Sequence, residues 1–285
     1  MAFKYQIGEL NLFSELEIPM LRHSSFNKPD LRVIFKQPIK APHETIEIHN
    51  KNILYKDIHN NIFLITDKEI QVSISNKVSQ KDAAVTIMGI PMGYLLQKNN
   101  FQVLHGSSIA SDNLAVSFIG RSRAGKSSIA LALVNDGFKL VTEDLCIIKN
   151  TDIYNFSSWI KSTKSALPKK LAHSNQISIK KDSRNRSLFK FDNKYISKPI
   201  TKLKVIYFLA DASETEITQL EPLDAFKFLF RYAYRENEKD AKSLNYLTNL
   251  CKSTKCFLFS RDLSKPLHEN KKFIVDHLNE NLILT

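Results

Sequence analysis

Gly120, Gly125, Lys126 and Ser127 stand at the spacing Gly-x4-Gly-Lys-Ser inside the stretch LAVSFIGRSRAGKSS, residues 114–128. This is the spacing of a P-loop, a backbone cradle for a nucleotide's phosphates. Where a strand turns sharply into a helix, several N–H groups lack partners, and glycines let that backbone approach an anion closely. Lys126 then reaches the β- and γ-phosphates as a compact charge, and the Ser127 hydroxyl is placed to ligate Mg²⁺. Arg123, Ala124 and Ser128 complete the cradle and the start of its helix. The competing reading, a glycine-containing turn beside a solvated lysine, requires strand, spacing, Lys-Ser pair and helix to agree by coincidence.

Glu143 and Asp144 lie in the apolar stretch FKLVTEDLCIIKN, one helix and one turn after Lys126. Two adjacent carboxylates in an apolar strand are costly to bury unless something cationic compensates. Side chains alternate faces along a regular strand, so both can serve one site only near a strand end or bulge. One would then hold Mg²⁺, directly or through water, while the other takes the proton from an attacking hydroxyl. The alternative is one metal-binding acid beside a solvated neighbour. His105 lies fifteen residues before Gly120, in VLHGSSIA. Taken alone, a histidine on an apolar strand is more often a core or turn residue than a catalyst.

These residues need elements to position them. Leu114 to Ile119 reads as a buried strand, and Ser127 to Val134 as a helix running to about Asp136. FQVLHGSSIA, a turn at Ser111-Asp112-Asn113 and LAVSFIG predict a hairpin entering the site, with FKLVTEDLCIIKN as the next strand. Residues 82–98 have helical periodicity interrupted by Gly89 and Pro91, which predicts a kinked helix or a helix pair. Residues 1–80 read as a small β-rich module, with strands in LRVIFKQ, ETIEIHN, NIFLIT and IQVSISN. Residues 81–285 form the second, nucleotide-binding unit. There KLKVIYFLAD reads as a buried strand ending at Asp211, with EITQLEP as its partner across the Ser213-Glu214 turn. LDAFKFLFRYAYR predicts a helix with Leu223, Phe226, Phe230 and Ala233 on its apolar face. Lys227, Arg231 and Arg235 recur every four residues on another face. The tail adds a helix from Ala241 to Cys251, the strand CFLFS, and a last helix beginning near Pro266.

Composition narrows the function classes. The 285 residues suffice for one large domain or two smaller ones. No apolar run approaches a membrane span, and the mixed N-terminal stretch is not a secretory signal, so a cytoplasmic protein without a membrane partner is expected. Cys146, Cys251 and Cys256 fit neither a disulfide framework nor a metal pair, and His23, His43, His49 and His59 have no metal-ligand spacing. The net charge of +12 is concentrated: between Lys161 and Lys204, eleven lysines and two arginines face only Asp182 and Asp192. A basic lobe beside a nucleotide site suits a triphosphate, an acidic substrate or a solvated surface. The interleaved phenylalanines lie at core spacing, which argues against nucleic acid as the partner.

LHGSSIA, GRSRAGKSS and GFKLVTEDLCII, in that order, resemble the C-terminal catalytic domain of HPr kinase/phosphorylase and its relatives. The nearest resemblance is to the HPr kinase-related enzymes of lasso-peptide clusters, which phosphorylate a serine of a precursor peptide. Weaker similarity runs through Trp159, Lys161, SRNRSLFKF, KVIYFLAD and the closing FSRDL, so it covers about residues 86–280. The resemblance implies that Lys126 and Ser127 serve phosphate and Mg²⁺, and that His105 helps near the reacting hydroxyl. It implies that Glu143, where relatives usually have aspartate, is the general base, and that Asp144 lies near Mg²⁺. Because Glu143 departs from the pattern, Asp144 can also take the base role. Arg123 stands where relatives often have glycine. Arg184, Arg186 and Arg231 fall where relatives place basic residues near the transferred phosphate or the substrate.

The expectation is therefore an α/β protein with a small N-terminal β-rich module and a P-loop kinase domain of the HPr kinase and PEP carboxykinase-like type. The expected activity is ATP- and Mg²⁺-dependent phosphorylation of a serine hydroxyl on a peptide or protein, with a ribosomal precursor peptide first among candidates. A small-metabolite kinase using the same machinery and a nucleotide-binding regulator with little catalysis are the alternatives. The parent family forms rings, which makes a homo-oligomer an expectation too.

Overall fold

Short runs with alternating apolar residues build a first sheet from the N-terminal third of the chain. The computed structural model describes residues 2–168, 171, 175–178, 186–235 and 241–282. In it β1 (Phe3–Ile7) and β2 (Leu10–Ser14) form a hairpin, and β3 (Leu31–Phe35) lies parallel to β2. An antiparallel meander of β4 (Ile46–His49), β5 (Asn52–Lys56), β6 (Ile62–Ile65) and β7 (Glu69–Ser73) joins β3 through a parallel β3–β7 pair. The four runs read as strands are β3, β4, β6 and β7. β1, β2 and β5 were not among those four runs, although FKYQI of β1 alternates apolar and polar residues as a half-buried strand does.

The segment broken at Gly89 folds as a helix pair, α1 (Gln80–Ile87) and α2 (Ile90–Lys98), and the Ser79 hydroxyl caps α1 by accepting from the Asp82 N–H. Ala83, Ile87, Met92 and Leu95 of this pair share one core with Tyr5, Val33 and Phe63 before them and Val103, Leu145 and Ile147 after them. The first sheet is thus packed onto the rest of the molecule through α1 and α2. That packing brings its β5–β6 turn toward the chemistry described below.

The expected hairpin is β8 (Gln102–Ser111) and β9 (Leu114–Ile119), followed by α3 (Lys126–Asn135). Residues 138–150 form two strands rather than one: β10 (Lys139–Thr142) and β11 (Leu145–Lys149) both pair with β8 and are interrupted at Glu143-Asp144. β12 (Asp152–Tyr154) continues that sheet, and β13 (Trp159–Ser162), β14 (Asn175–Ser178) and β15 (Ser187–Lys190) make a separate small sheet with β15 in its middle.

The rest of the chain supplies β16 (Ile200–Asp211), β17 (Glu216–Gln219), α4 (Pro222–Tyr232), α5 (Ala241–Ser253), β18 (Lys255–Arg261) and α6 (Leu267–Leu282). β9, β16 and β18 run parallel, and strands covered on both faces need near-continuous apolar sequence. Ile129 and Leu133 of α3, with Ile274 and Leu278 of α6, cover one face over Phe118, Tyr207 and Phe259. Leu229 of α4, with Leu247 and Leu250 of α5, covers the other over Ile206 and Phe208. The result is a mixed α/β molecule. Among its described residues no helix is long and apolar enough to cross a membrane.

Two expectations fail in this half. β17 does not pair with β16; β18 lies between them, and β17 pairs antiparallel with β18. The physical reason is exposure: EITQ is too polar for a central position, whereas Phe257 and Phe259 of β18 are buried. The expected apolar face of α4 holds in part, since Phe226, Phe230 and Ala233 pack against the core around Ile206 and Phe208. Ala225 and Leu229 meet the sheet, and Leu223, about 200° around the helix from Ala225, is 66% exposed. Because α4 ends at Tyr232, Arg235 falls outside it, with its guanidinium 3.4 Å from the Phe230 ring centroid. Lys227 pairs with Asp224 at 2.8 Å. The expected row of three cations does not form.

Gly106 marks the tightest point in the hairpin below the site. A Cβ there would lie 2.8 Å from the Phe118 carbonyl oxygen and collide with the Ile119 side chain. Gly106→Ala is expected to destabilise the protein by about 1–3 kcal/mol, read as a lowered Tm; an unchanged Tm would show that the hairpin relaxes freely.

Candidate functional site

β9 ends at Ile119 and α3 begins at Lys126, so the Gly120–Ser127 loop is a strand-to-helix turn. Gly125, at φ +74°, occupies the N-cap position of α3, and a Cβ on it would come within 3.0 Å of Arg261 Nη1. Arg123 also adopts a positive φ, +69°, so the backbone keeps the conformation that glycine favours. For an arginine that geometry costs about 1–2 kcal/mol. Lys126 is buried, and its Nζ donates to the Gly120 and Arg121 carbonyls, each at 2.9 Å. The lysine is therefore folded back over its own loop, beside the N–H groups at the start of α3. A phosphate chain is the chemical species this arrangement fits.

The interruption between β10 and β11 places both carboxylates next to that loop. Asp144 sits at φ +68°, and its carbonyl accepts from the Gly106 N–H at 3.2 Å. A positive φ at a non-glycine residue is strain of the kind found at functional positions. It turns the two side chains into separate roles. Glu143 Oε1 accepts from the Ser127 hydroxyl at 2.9 Å, and Oε2 lies 3.4 Å from the Lys161 N–H. Asp144 Oδ2 accepts from Lys161 Nζ at 2.8 Å. His105 is paired with Leu145 across the β8–β11 ladder, directly beside Asp144.

Electrostatics separate the pair further. Burial and the neighbouring Asp144 charge push Glu143 well above the usual carboxylate range, against the pull of Lys161 and the Ser127 hydroxyl. Burial would raise Asp144 too, but Lys161 above all, with His105 and Arg186 after it, overcomes this and holds its carboxyl below the usual range. Lys161 pays for its own burial with the Asp144 and Glu143 charges, and its pKa is raised. Burial lowers the His105 imidazole, which keeps it neutral near pH 7 although Asp144 opposes that shift.

Glu143 supplies a test of sign. Its folded pKa lies above its unfolded value, so its contribution to stability is complete in acid and is lost as the pH rises. Glu143→Gln removes an ionisation that the fold resists. The variant without metal is expected to gain Tm over the parent in mildly alkaline buffer and to match it in mildly acidic buffer. Equal Tm differences at both pH values would contradict the assignment.

The loop, Asp144 and His105 open on one cleft of about 600 Å³. His105, Arg123, Gly125, Lys126, Ser127, Ser128, Asp144 and Arg186 all line it, so most of the residues singled out in the sequence are brought together. Gly120 and Ala124 lie in the floor of the loop, and Glu143 lines a small adjoining cavity with Asp144 and Lys161. Arg231 is exposed on α4 and is not among the lining residues. Arg184 lies outside the described residues. No three His, Cys, Asp or Glu side chains cluster as a metal centre among the described residues. Ser127 and Glu143, joined by their hydrogen bond, could hold two positions around Mg²⁺, which keeps waters and takes phosphate oxygens for the rest. When Glu143 ionises, the acid pair facing a single lysine carries a negative charge that a divalent cation would offset.

Several lining residues carry no local signal in the sequence. Asp57, Ile58 and His59 come from the β5–β6 turn, and Asp82, Val85 and Thr86 from α1, all before the first motif, LHGSSIA. Lys161 was visible only as the start of the basic stretch and through the resemblance, without a role. Arg261 is 2% exposed beneath the loop, where its Nη2 donates to the Ala124 carbonyl at 2.7 Å and lies 3.4 Å from Asp211. Asp211 also pairs with Arg121, tying the loop to the ends of β16 and β18. The three cysteines are free and Cys146 is buried, its thiol pushed up to about 12 by that burial.

No protein-family model matches the chain, and no curated protein matches it. Among solved structures, the HPr(Ser) kinase/phosphatase from Coxiella burnetii is similar at 12% identity and a TM-score of 0.34, over 63% of this chain and 97% of that one. That degree of likeness assigns neither family nor activity; the functional reading rests on the site's own residues.

Proposed function

We propose that the protein is an ATP-dependent kinase that transfers the γ-phosphoryl group to a serine hydroxyl of a peptide or protein. The observation that carries this reading is the convergence of the Gly120–Ser127 loop, the Ser127–Glu143 pair and the Lys161–Asp144–His105 group on one cleft. A protein that only bound nucleotide would have no use for a second, separately held carboxylate.

Lys126 exchanges its two carbonyl acceptors for phosphate oxygens, and the loop N–H groups hold the β-phosphate. Ser127 and Glu143 hold Mg²⁺, which when bound offsets phosphate charge. Asp144 accepts the proton of the acceptor hydroxyl as its oxygen bonds to the γ-phosphorus and the bond to the β,γ-bridging oxygen breaks, releasing ADP. The proton then leaves Asp144 for solvent. A weakly basic carboxylate suffices, because in a loose transition state the leaving bond is largely broken before the hydroxyl must yield its proton. Lys161 holds Asp144 in place, and Arg186 contributes positive charge where the phosphoryl group passes. These roles exchange those that the family resemblance implies for Glu143 and Asp144; the Ser127–Glu143 hydrogen bond supports the exchange.

A lasso-type precursor peptide remains the first candidate acceptor, on the resemblance alone, with a small hydroxyl metabolite as the second. ADP release measured with ATP and Mg²⁺ against serine peptides and against small hydroxyl compounds separates them. Release stimulated by peptides is the expected result; stimulation by small compounds alone would replace the peptide reading.

A further inference from the structure

Ile58 is the most exposed large apolar side chain among the described residues, at 78%, and no other of the exposed group lines the cleft. Its exposure is not a consequence of a loose loop. Asp57 Oδ1 accepts from the His59 and Asn61 backbone N–H groups at 2.8 and 2.9 Å, and Oδ2 accepts from Asn61 Nδ2 at 2.7 Å. Asn61 Oδ1 in turn accepts from the Ser75 N–H at 3.0 Å. The turn is braced at both ends, and its isoleucine lines the same cleft as the Gly120–Ser127 loop. Tyr55, Val85 and Ile90 add apolar surface to the lining from the same segments, alongside Asp57, His59, Asp82 and Thr86.

The cleft lining therefore contains two chemically different groups of residues. Arg123, Lys126, Lys161 and Arg186 are the cations among them. The apolar wall flanks the carboxylates, because Val85 also lines the small cavity containing Glu143 and Asp144. An accepting hydroxyl must reach Asp144, so whatever carries it lies against this wall. We infer that the β5–β6 turn and α1 form the acceptor subsite, which selects a polypeptide segment with an aliphatic side chain beside its serine, packed on Ile58. This inference rests on the serine-kinase reading above. It makes the first sheet part of substrate selection.

The test is a serine-centred peptide array in which each neighbouring position is varied, incubated with labelled ATP and Mg²⁺. Parent, Ile58→Leu and Ile58→Lys proteins are compared, and their ADP·Mg²⁺ affinities are measured separately. Ile58 is exposed, so Ile58→Lys should keep the parent Tm. The expected result is preferential labelling of peptides with an aliphatic neighbour, retained in Ile58→Leu. In Ile58→Lys the preference should be lost, with acceptor KM raised about tenfold or more and ADP affinity unchanged. Labelling without neighbour preference, or a preference that survives Ile58→Lys, overturns the subsite while leaving the kinase reading intact. Weakened ADP binding in Ile58→Lys overturns it too, since the wall would then hold the nucleotide base. Labelling of no peptide by the parent protein overturns the serine-kinase reading and this inference with it.

Discussion

Asp144→Asn is expected to reduce phosphoryl transfer by about 10²–10⁴-fold while nucleotide affinity stays near that of the parent. The carboxylate is the group that faces the cleft, whereas Glu143 turns to the Ser127 hydroxyl. Asparagine keeps the volume and can still hydrogen-bond, but it cannot take a proton. It also leaves Lys161 with a neutral partner in place of its 2.8 Å ion pair, so a moderate fall in Tm should accompany the loss. Glu143→Gln provides the contrast. Its main effect should fall on the Mg²⁺ concentration needed for half-maximal rate, because its contact is with the serine of the loop. If instead Glu143→Gln abolished transfer at saturating Mg²⁺ and Asp144→Asn did not, the two roles would stand as the family resemblance has them.

Lys126→Ala should cost about 10²–10³-fold in turnover, with weakened binding of ADP and ATP besides. The side chain is buried beneath the site rather than projecting into solvent, and it donates to two carbonyls of its own loop. Alanine leaves the Gly120 and Arg121 carbonyls without that donor, so part of any loss is conformational. Lys126→Arg separates the contributions. It retains a charge, but its larger fork cannot occupy the compact position between the two carbonyls, and activity should remain low. Near-parental turnover in Lys126→Arg would mean that the charge alone matters and that the folded-back geometry is incidental.

Much of the site was legible because its parts are local. A strand, a fixed glycine spacing, a Lys-Ser pair and a helix follow one another without a break from Leu114 to Asn135, and each constrains the next. The carboxylate pair was legible for the opposite reason, as a violation: charge inside an apolar run must be explained, and the break between β10 and β11 explains it. The direction in which each carboxylate points depends on a single positive φ at Asp144 and on β8 pairing with two strands in succession, which no periodicity reveals. The wall from Tyr55 to Ile58 was invisible because it reaches the cleft only through the packing of one sheet on α1 and α2. The β16–β17 hairpin failed as an expectation because adjacency in sequence was taken for adjacency in the sheet, and the apolar β18 claimed the central place. Arg231 and Leu223 show the limit of helical periodicity, which gives a face but not the neighbour it meets.

The most direct measurement of the central claim uses ATP carrying ¹⁸O in its γ-phosphoryl group, with Mg²⁺ and a serine peptide that stimulates ADP release. Mass spectrometry then follows where the label goes in the parent protein and in Lys126→Ala. The expected result is a labelled phosphoryl group on the serine oxygen with the parent protein and little or none with Lys126→Ala. Label found only in inorganic phosphate, or equal transfer by Lys126→Ala, would contradict it.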